Sequence, residues 1–197
     1  MYPSTINDLI ESFKFLPGIG SKTAQRLAFS ILDLDKDQVD FFVSSLNNSI
    51  NNIHRCPVCN NITDLDLCSI CSNKLRNSNL LCVVDDPKTV FLFEKIGKFD
   101  GYYHVLNGLI DPINGITVDD IGLNQLVNRI NDSNFKEIVF AFKPCIEGET
   151  TSLYIKKILE NRNIIFSKLA NGVPIGADME YVDNLTLETA ILNRKFI

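Results

Sequence analysis

Four cysteines stand together in the stretch CPVCNNITDLDLCSIC. Cys56 and Cys59 form one C-x-x-C pair, and Cys68 and Cys71 form another. Each pair can present two thiolates from a tight knuckle, and two knuckles complete a tetrahedral four-sulfur site of the kind that holds zinc. With all four positions filled by cysteine, no coordination site stays open for water or substrate, so the expected role is structural. Redox knuckles or disulfides are the competing reading.

A second stretch, LPGIGSKTAQRLA, spans residues 16–28 and suggests contact with phosphate. It fails as a nucleotide loop. A P-loop needs its lysine directly after the second glycine, but Ser21 separates Gly20 from Lys22. A dinucleotide fingerprint fails as well, because Thr23 stands at the third glycine position. Both motifs need a strand in front, and the preceding residues read as a helix. Ile6, Leu9, Ile10 and Phe13 share one helical face, and Thr5 with Asp8 suggests a capping box. Ala24, Leu27, Ala28, Ile31 and Leu32 repeat the spacing after the loop. Helix, turn, helix is therefore expected. Gly18 and Gly20 can take positive φ and admit a close backbone. The free N–H groups opening the second helix favour an anion. Lys22 and Arg26, four apart, share a face away from the apolar stripe. The unit fits a helix-hairpin-helix that grips the nucleic-acid backbone without reading bases. A plain glycine turn with two solvated cations is the simpler alternative.

The elements that must position these groups follow from periodicity. A third helix is expected over 37–53, with Val39, Phe42, Val43, Leu46, Ile50 and Ile53 on one stripe. From residue 79 strands and helices alternate. NLLCVVDD, YYHVL, KEIVFAF and NIIFSKLA read as strands; PKTVFLFEKIG, VDDIGLNQLVNRI and TTSLYIKKILENR read as helices. That alternation predicts a parallel sheet flanked by helices. DNLTLETAILNRKFI reads as a short helix and tail. Cys82 is expected in the core, Cys145 in a loop after a strand, and His54 and His104 as satisfied structural imidazoles.

With 197 residues, 45% hydrophobic and 22% charged, the chain is an ordinary globular sequence. No apolar run approaches a membrane span, which needs about 18 residues. MYPSTINDLIESF carries acids and no basic n-region, so a cytoplasmic location is expected. The net charge of −5 is adverse to phosphate binding. One copy of the hairpin is therefore expected to bind weakly, and several copies in an oligomer would offset this.

The order of these parts resembles the RecR family of bacterial recombination mediators along nearly the whole chain. LPGIGSKTAQRLAF is similar to that family's hairpin, and the C-x-x-C pairs have its spacing. LCVVDDPKTVFLFEKIGKFDGYYHVLNGLIDPINGI resembles the opening of its Toprim domain. IEGETTSLYIKKIL and LANGVPIGADMEYVDNLTLETAILNR resemble that domain's end and the family's C-terminal signature. The fold class this implies is a multi-part α+β chain: a helix-hairpin-helix region over 1–53, a four-cysteine zinc finger over 54–78, an α/β Toprim domain with a mostly parallel sheet over 79–172, and a C-terminal segment with a helix over 173–197. The implied function is non-catalytic. A ring-shaped tetramer would encircle DNA, whether single-stranded, duplex or junction, and act with RecO, and in many bacteria RecF, to help RecA displace single-strand-binding protein. Cytoplasmic, nucleoid-associated placement goes with that role. Carried over by position, Gly18, Gly20, Lys22 and Arg26 would face DNA; Cys56, Cys59, Cys68 and Cys71 would hold one structural Zn2+; Asp85, Glu147 and Glu149 would lie near the partner surface.

Catalytic Toprim domains hold Mg2+ with a glutamate after the first strand and an Asp-x-Asp pair after a later one, since that hard cation favours oxygen ligands. Here Asp85 takes the glutamate position, and Lys143, Pro144 and Cys145 follow KEIVFAF in place of the pair. Asp85, Asp86, Glu147 and Glu149 could still form a weak Mg2+ site, but an acidic rim meeting a basic partner is the preferred reading. A Mg2+-dependent nuclease or strand-passing enzyme, and a zinc-stabilised interaction module without DNA contact, are the alternatives.

Overall fold

The computed structural model describes residues 2–194, so the final residues of the expected tail, 195–197, lie outside it. The chain divides into two compact units, Met1–Ile53 and His54–Ile197. Among the described residues, no helix is long and apolar enough to cross a membrane.

The first unit is helical: α1 (Ser4–Lys14), α2 (Ser21–Leu32) and α3 (Lys36–Asn52). α1 and α2 pack on one another, with Ala24 and Ala28 fully buried and Ile6, Leu9, Ile10 and Phe13 half-buried. Leu32, expected on the packed stripe, is exposed. Two alanines at helical spacing let another helix approach closely. The expected capping box at Thr5 does not form. Pro3 occupies the cap position with no side-chain bond, which leaves Thr5 inside the first turn. A true capping box opens α3, where Asp35 accepts from the Gln38 backbone and Gln38 reaches back to the Asp35 N–H. The apolar stripe of α3 stays open to solvent, with Leu46 49% and Ile50 76% exposed.

In the second unit a small ribbon comes first. β1 (His54–Arg55) pairs antiparallel with β2 (Ile62–Thr63), and a single turn of helix, α4 (Ser69–Ser72), follows. Then come β3 (Asn77–Val84), α5 (Pro87–Ile96), β4 (Gly101–Val105), α6 (Leu123–Asn131), β5 (Glu137–Phe140), α7 (Ile146–Ile158), β6 (Ile165–Lys168), a 3-10 turn at Met179–Tyr181 and α8 (Asn184–Leu192). The four main strands form one wholly parallel sheet in the order β4-β3-β5-β6.

Alternation along the strands sorts the core into two layers. Leu81, Val83, Ile138 and Phe140 pack with Leu126 and Ile130 of α6 and Ile155 of α7. Cys82, Val84, Tyr103 and Val105 pack with Val90 of α5 and with the zinc-segment cysteines. The sheet is thus covered on both faces, as parallel sheets require, and the ribbon supplies part of one cover.

α5 runs as expected, from Pro87 behind an Asp86 cap to a stop at Gly97, which takes φ +66°. Two other helix starts depart from the sequence expectation for local reasons. α6 begins only at Leu123, because Gly122 sits at φ +71° and Asp120 ties the preceding turn to Thr117. α7 begins at Ile146, four residues before the expected start at Thr150. Gly148 lies inside it: a Cβ there would come within 2.4 Å of the Lys143 carbonyl oxygen.

Candidate zinc centre and nucleic-acid interface

The first knuckle folds because Asn60 accepts φ +59°, a conformation asparagine tolerates better than most residues. Asn60 N–H then bonds to the Cys56 carbonyl at 2.9 Å, and Cys56 N–H to the Asn61 carbonyl at 2.7 Å. The second knuckle is α4 itself, capped by Cys68, whose sulfur accepts from the Cys71 N–H at 3.4 Å. Together they bring the four Sγ atoms within 4.8 Å of one another, with Cys59 and Cys68 3.5 Å apart. A tetrahedral zinc with bonds of about 2.3 Å separates its sulfurs by about 3.8 Å, so the donor set fits the ion. Cys56, Cys59 and Cys68 are buried and Cys71 is half-buried. The finger holds one structural Zn2+.

The sulfurs share hydrogen bonds, which drives their proton affinities apart. Hydrogen bonds from Cys59 and Cys71 hold the Cys68 thiol down to about 2. Hydrogen bonds to Cys68 and Cys71, together with burial, push Cys59 well above the thiol range. At Cys71 the bond with Cys59 lowers the value, while the bond with Cys68 and burial raise it; the sum is about 12. Arg129 acts on Cys71 in the lowering direction.

The centre is stitched to the sheet. β4 is an edge strand, whose outward N–H and C=O groups need partners. Val105 N–H donates to the Cys59 carbonyl at 2.8 Å, and Asn60 Nδ2 donates to the Val105 carbonyl and to Asn107 Oδ1 at 2.8 Å each. Gln125 of α6 donates to the Pro57 carbonyl at 3.0 Å. Behind the finger, Arg76 forks onto Glu94 with two bonds of 2.8 Å and also donates to the Gly101 and Phe99 carbonyls. These contacts were not readable in the sequence, because their partners lie far apart along the chain.

The hairpin glycines differ in role. Gly18 takes φ +79°, as its turn requires. Gly20 does not: at φ −84° and ψ 170° it is extended, and it serves as the α2 cap without a capping side chain. The first N–H groups of α2 therefore meet no capping side chain among the described residues, and no acidic residue stands in its first turn. Lys22 and Arg26 are exposed, two positions off Ala24 and Ala28 and so on a different face.

In the sheet order, the crevice between β3 and β5 is the topological switch point, where α/β folds usually place ligands. Asp85 follows β3 there. Asp86, entertained above as a metal ligand, instead caps α5 by accepting from the Lys88 N–H at 2.8 Å. Glu147 and Glu149 lie in the first turn of α7, where negative charge complements the helix dipole. Glu149 pairs with Lys168 at 3.0 Å, both side chains more than half exposed. Among the described residues, the four cysteines are the one group of three or more metal-capable side chains close enough to share an ion. Cys82 is buried, which pushes its thiol up to about 12, and Cys145 caps α7 at the surface. His104 departs from expectation: buried on β4, its Nδ1 lies 3.4 Å from Arg129 Nη1, but its Nε2 has no partner among the described residues. Burial, then the Arg129 charge, hold its pKa down to about 3, so the ring is neutral.

A helix-hairpin-helix, a closed four-cysteine finger and a Toprim sheet define a class of zinc-stabilised Toprim proteins of nucleic-acid metabolism. Residues 6–50 match the RecR helix-hairpin-helix, 53–73 the RecR four-cysteine zinc finger domain, 79–170 the Toprim domain and 172–195 the RecR C-terminal region. The chain is 44% identical over 194 residues to "Recombination protein RecR" of Natranaerobius thermophilus, an alignment covering 98% of each. It belongs to the RecR family.

Proposed function

We propose that the chain is a recombination mediator that grips the DNA backbone through Gly18, Gly20, Lys22 and Arg26. The observation that carries this reading is the opening of α2: uncapped N–H groups, no acid in the first turn, and two exposed cations one helical turn apart. Family membership supports the wider role. In it the working parts are 1–53, 54–78, 79–172 and 173–197. Several copies, a tetramer in this proposal, multiply a grip that one acidic protomer makes weakly. RecO, with RecF as a second partner, meets the acidic rim of Asp85, Glu147 and Glu149, and the assembly helps RecA load where single-strand-binding protein covers DNA. The Toprim domain works without catalysis in this reading, because Asp85 is one methylene short and Lys143, Pro144 and Cys145 replace the aspartate pair. The open apolar stripe of α3 is consistent with further copies covering it.

The test is DNA binding by fluorescence anisotropy across a salt series, with and without a RecO protein. Each phosphate contact contributes about 0.9 to the slope of log K against log salt, so Lys22→Ala with Arg26→Ala should reduce it by about 1.8 per engaged hairpin. An unchanged slope removes both residues from the interface. Loss of any RecO effect on DNA binding would sink the mediator role. Nicking of plasmid with Mg2+, abolished by Asp85→Asn, would favour the enzyme reading instead.

A further inference from the structure

Arg129 is a half-buried cation without a carboxylate. Among the described residues three ion pairs form, Lys14 with Glu11, Arg76 with Glu94 and Lys168 with Glu149, and Arg129 is in none of them. Asp132, one turn on along α6, lines the same cleft but makes no ion pair with it. The neighbours of the guanidinium are neutral: Nη1 donates to the Tyr103 carbonyl and approaches His104 Nδ1, and the group lies 5.8 Å from the centre of the Phe135 ring. A partly buried charge needs a compensating one.

Across the cleft, of about 870 Å3, stands Cys71. Four thiolates around one Zn2+ leave a net charge of about −2 on the centre, spread over its sulfurs. That is the nearby anion in want of a cation. Cys71 is the least buried of the four ligands and lines the same cleft as Arg129, and the Cys59 carbonyl meets β4 at Val105, two residues from the carbonyl that Arg129 holds.

We propose that Arg129 is a positioning residue of the zinc centre: the counter-charge that stabilises the four-thiolate cluster and fixes it to the open edge of the sheet. One side chain then does two jobs. It satisfies the outward carbonyl of Tyr103 on β4, and it lowers the energy of the anionic centre whose knuckle satisfies Val105 two residues on. The geometry makes the zinc centre and the strand edge mutually dependent.

The test compares zinc affinity of the full chain by competition with a metallochromic chelator. Arg129→Met should weaken zinc binding by about 10–100-fold, the usual cost of an outer-shell partner. Arg129→Lys, which keeps the charge and loses the planar fork, should fall between Met and wild type. Asn128→Ala, which removes an uncharged side chain from the same cleft, should bind zinc nearly as wild type does. In Co2+-loaded protein, the thiolate charge-transfer bands should shift in Arg129→Met and not in Asn128→Ala. Wild-type zinc affinity in Arg129→Met overturns the proposal, as does an Asn128→Ala defect of equal size. Should Arg129→Met fail to fold, Arg129→Lys decides alone: unchanged affinity with unchanged bands overturns it.

Discussion

Acid should destabilise this protein through His104 in a way that one substitution can isolate. The imidazole is fully buried on β4, its Nε2 is unpartnered and Arg129 stands at its Nδ1. Its pKa is held at about 3, against an ordinary value of 6.5. The native state therefore binds fewer protons than the unfolded one. The stabilisation is complete above the unfolded value and is lost as pH falls from there toward the folded value. One pH unit in that window is worth about 1.4 kcal/mol, so lowering pH from 7 to 5 removes about 2 kcal/mol through this residue. For a chain of this length that is a fall in Tm of about 4–8 °C. Protons also compete with zinc for the thiolates over the same range, so wild type alone cannot decide the matter. The assay is urea unfolding at pH 7 and pH 5 for wild type and His104→Leu, with zinc content checked in each. Thiolate competition is common to both proteins, and the difference in their pH dependence reports the imidazole. Wild type should lose about 2 kcal/mol more than the variant. Equal losses would refute the reasoning, and would mean that the ring gains water or a partner in solution.

Two further outcomes test the frame around the site. Cys59→Ser should lower zinc affinity by more than the roughly 100-fold that an outer-shell partner commands, and should destabilise the fold, since structural zinc contributes folding free energy; stoichiometric zinc by mass spectrometry in a variant with unchanged Tm would contradict the closed site. Gly148→Ala should destabilise by about 1–3 kcal/mol despite alanine's better helix propensity, because the new Cβ meets backbone rather than a movable side chain; a higher Tm would show that α7 can slide off the Lys143 carbonyl.

What was legible in the sequence came from contiguous segments. The four cysteines span residues 56–71, and the spacing alone fixes both ligand identity and the closed character of the site. The hairpin was legible because two amphipathic stripes flank one glycine turn. Even there, spacing could not separate the two glycines. Gly18 needs its positive φ, whereas Gly20 is extended and acts by lacking a side chain. The order of strands and helices followed from alternating patterns, but the starts of α6 and α7 did not. Those depend on an αL glycine and on a glycine pressed against the Lys143 carbonyl just upstream, and neither leaves a periodic trace.

The groups that bind the zinc centre to the sheet were hidden for a stricter reason. Asn60 and Val105 are separated by 45 residues, and Arg129 stands further still from Cys71. Local spacing even misleads, since it offers Arg129 an acid at Asp132, three residues on, and no such pair forms. The usable signal was the position of Arg129 beside Leu126 and Ile130, both buried inward residues. An arginine on the flank of an inward face must find a negative charge at the end of its reach or desolvate at a cost. In a chain whose finger carries about two excess negative charges once zinc is bound, that charge need not be a carboxylate. A search for ion pairs limited to Asp and Glu passes over it, and the zinc thiolates belong in such a search as anions in their own right.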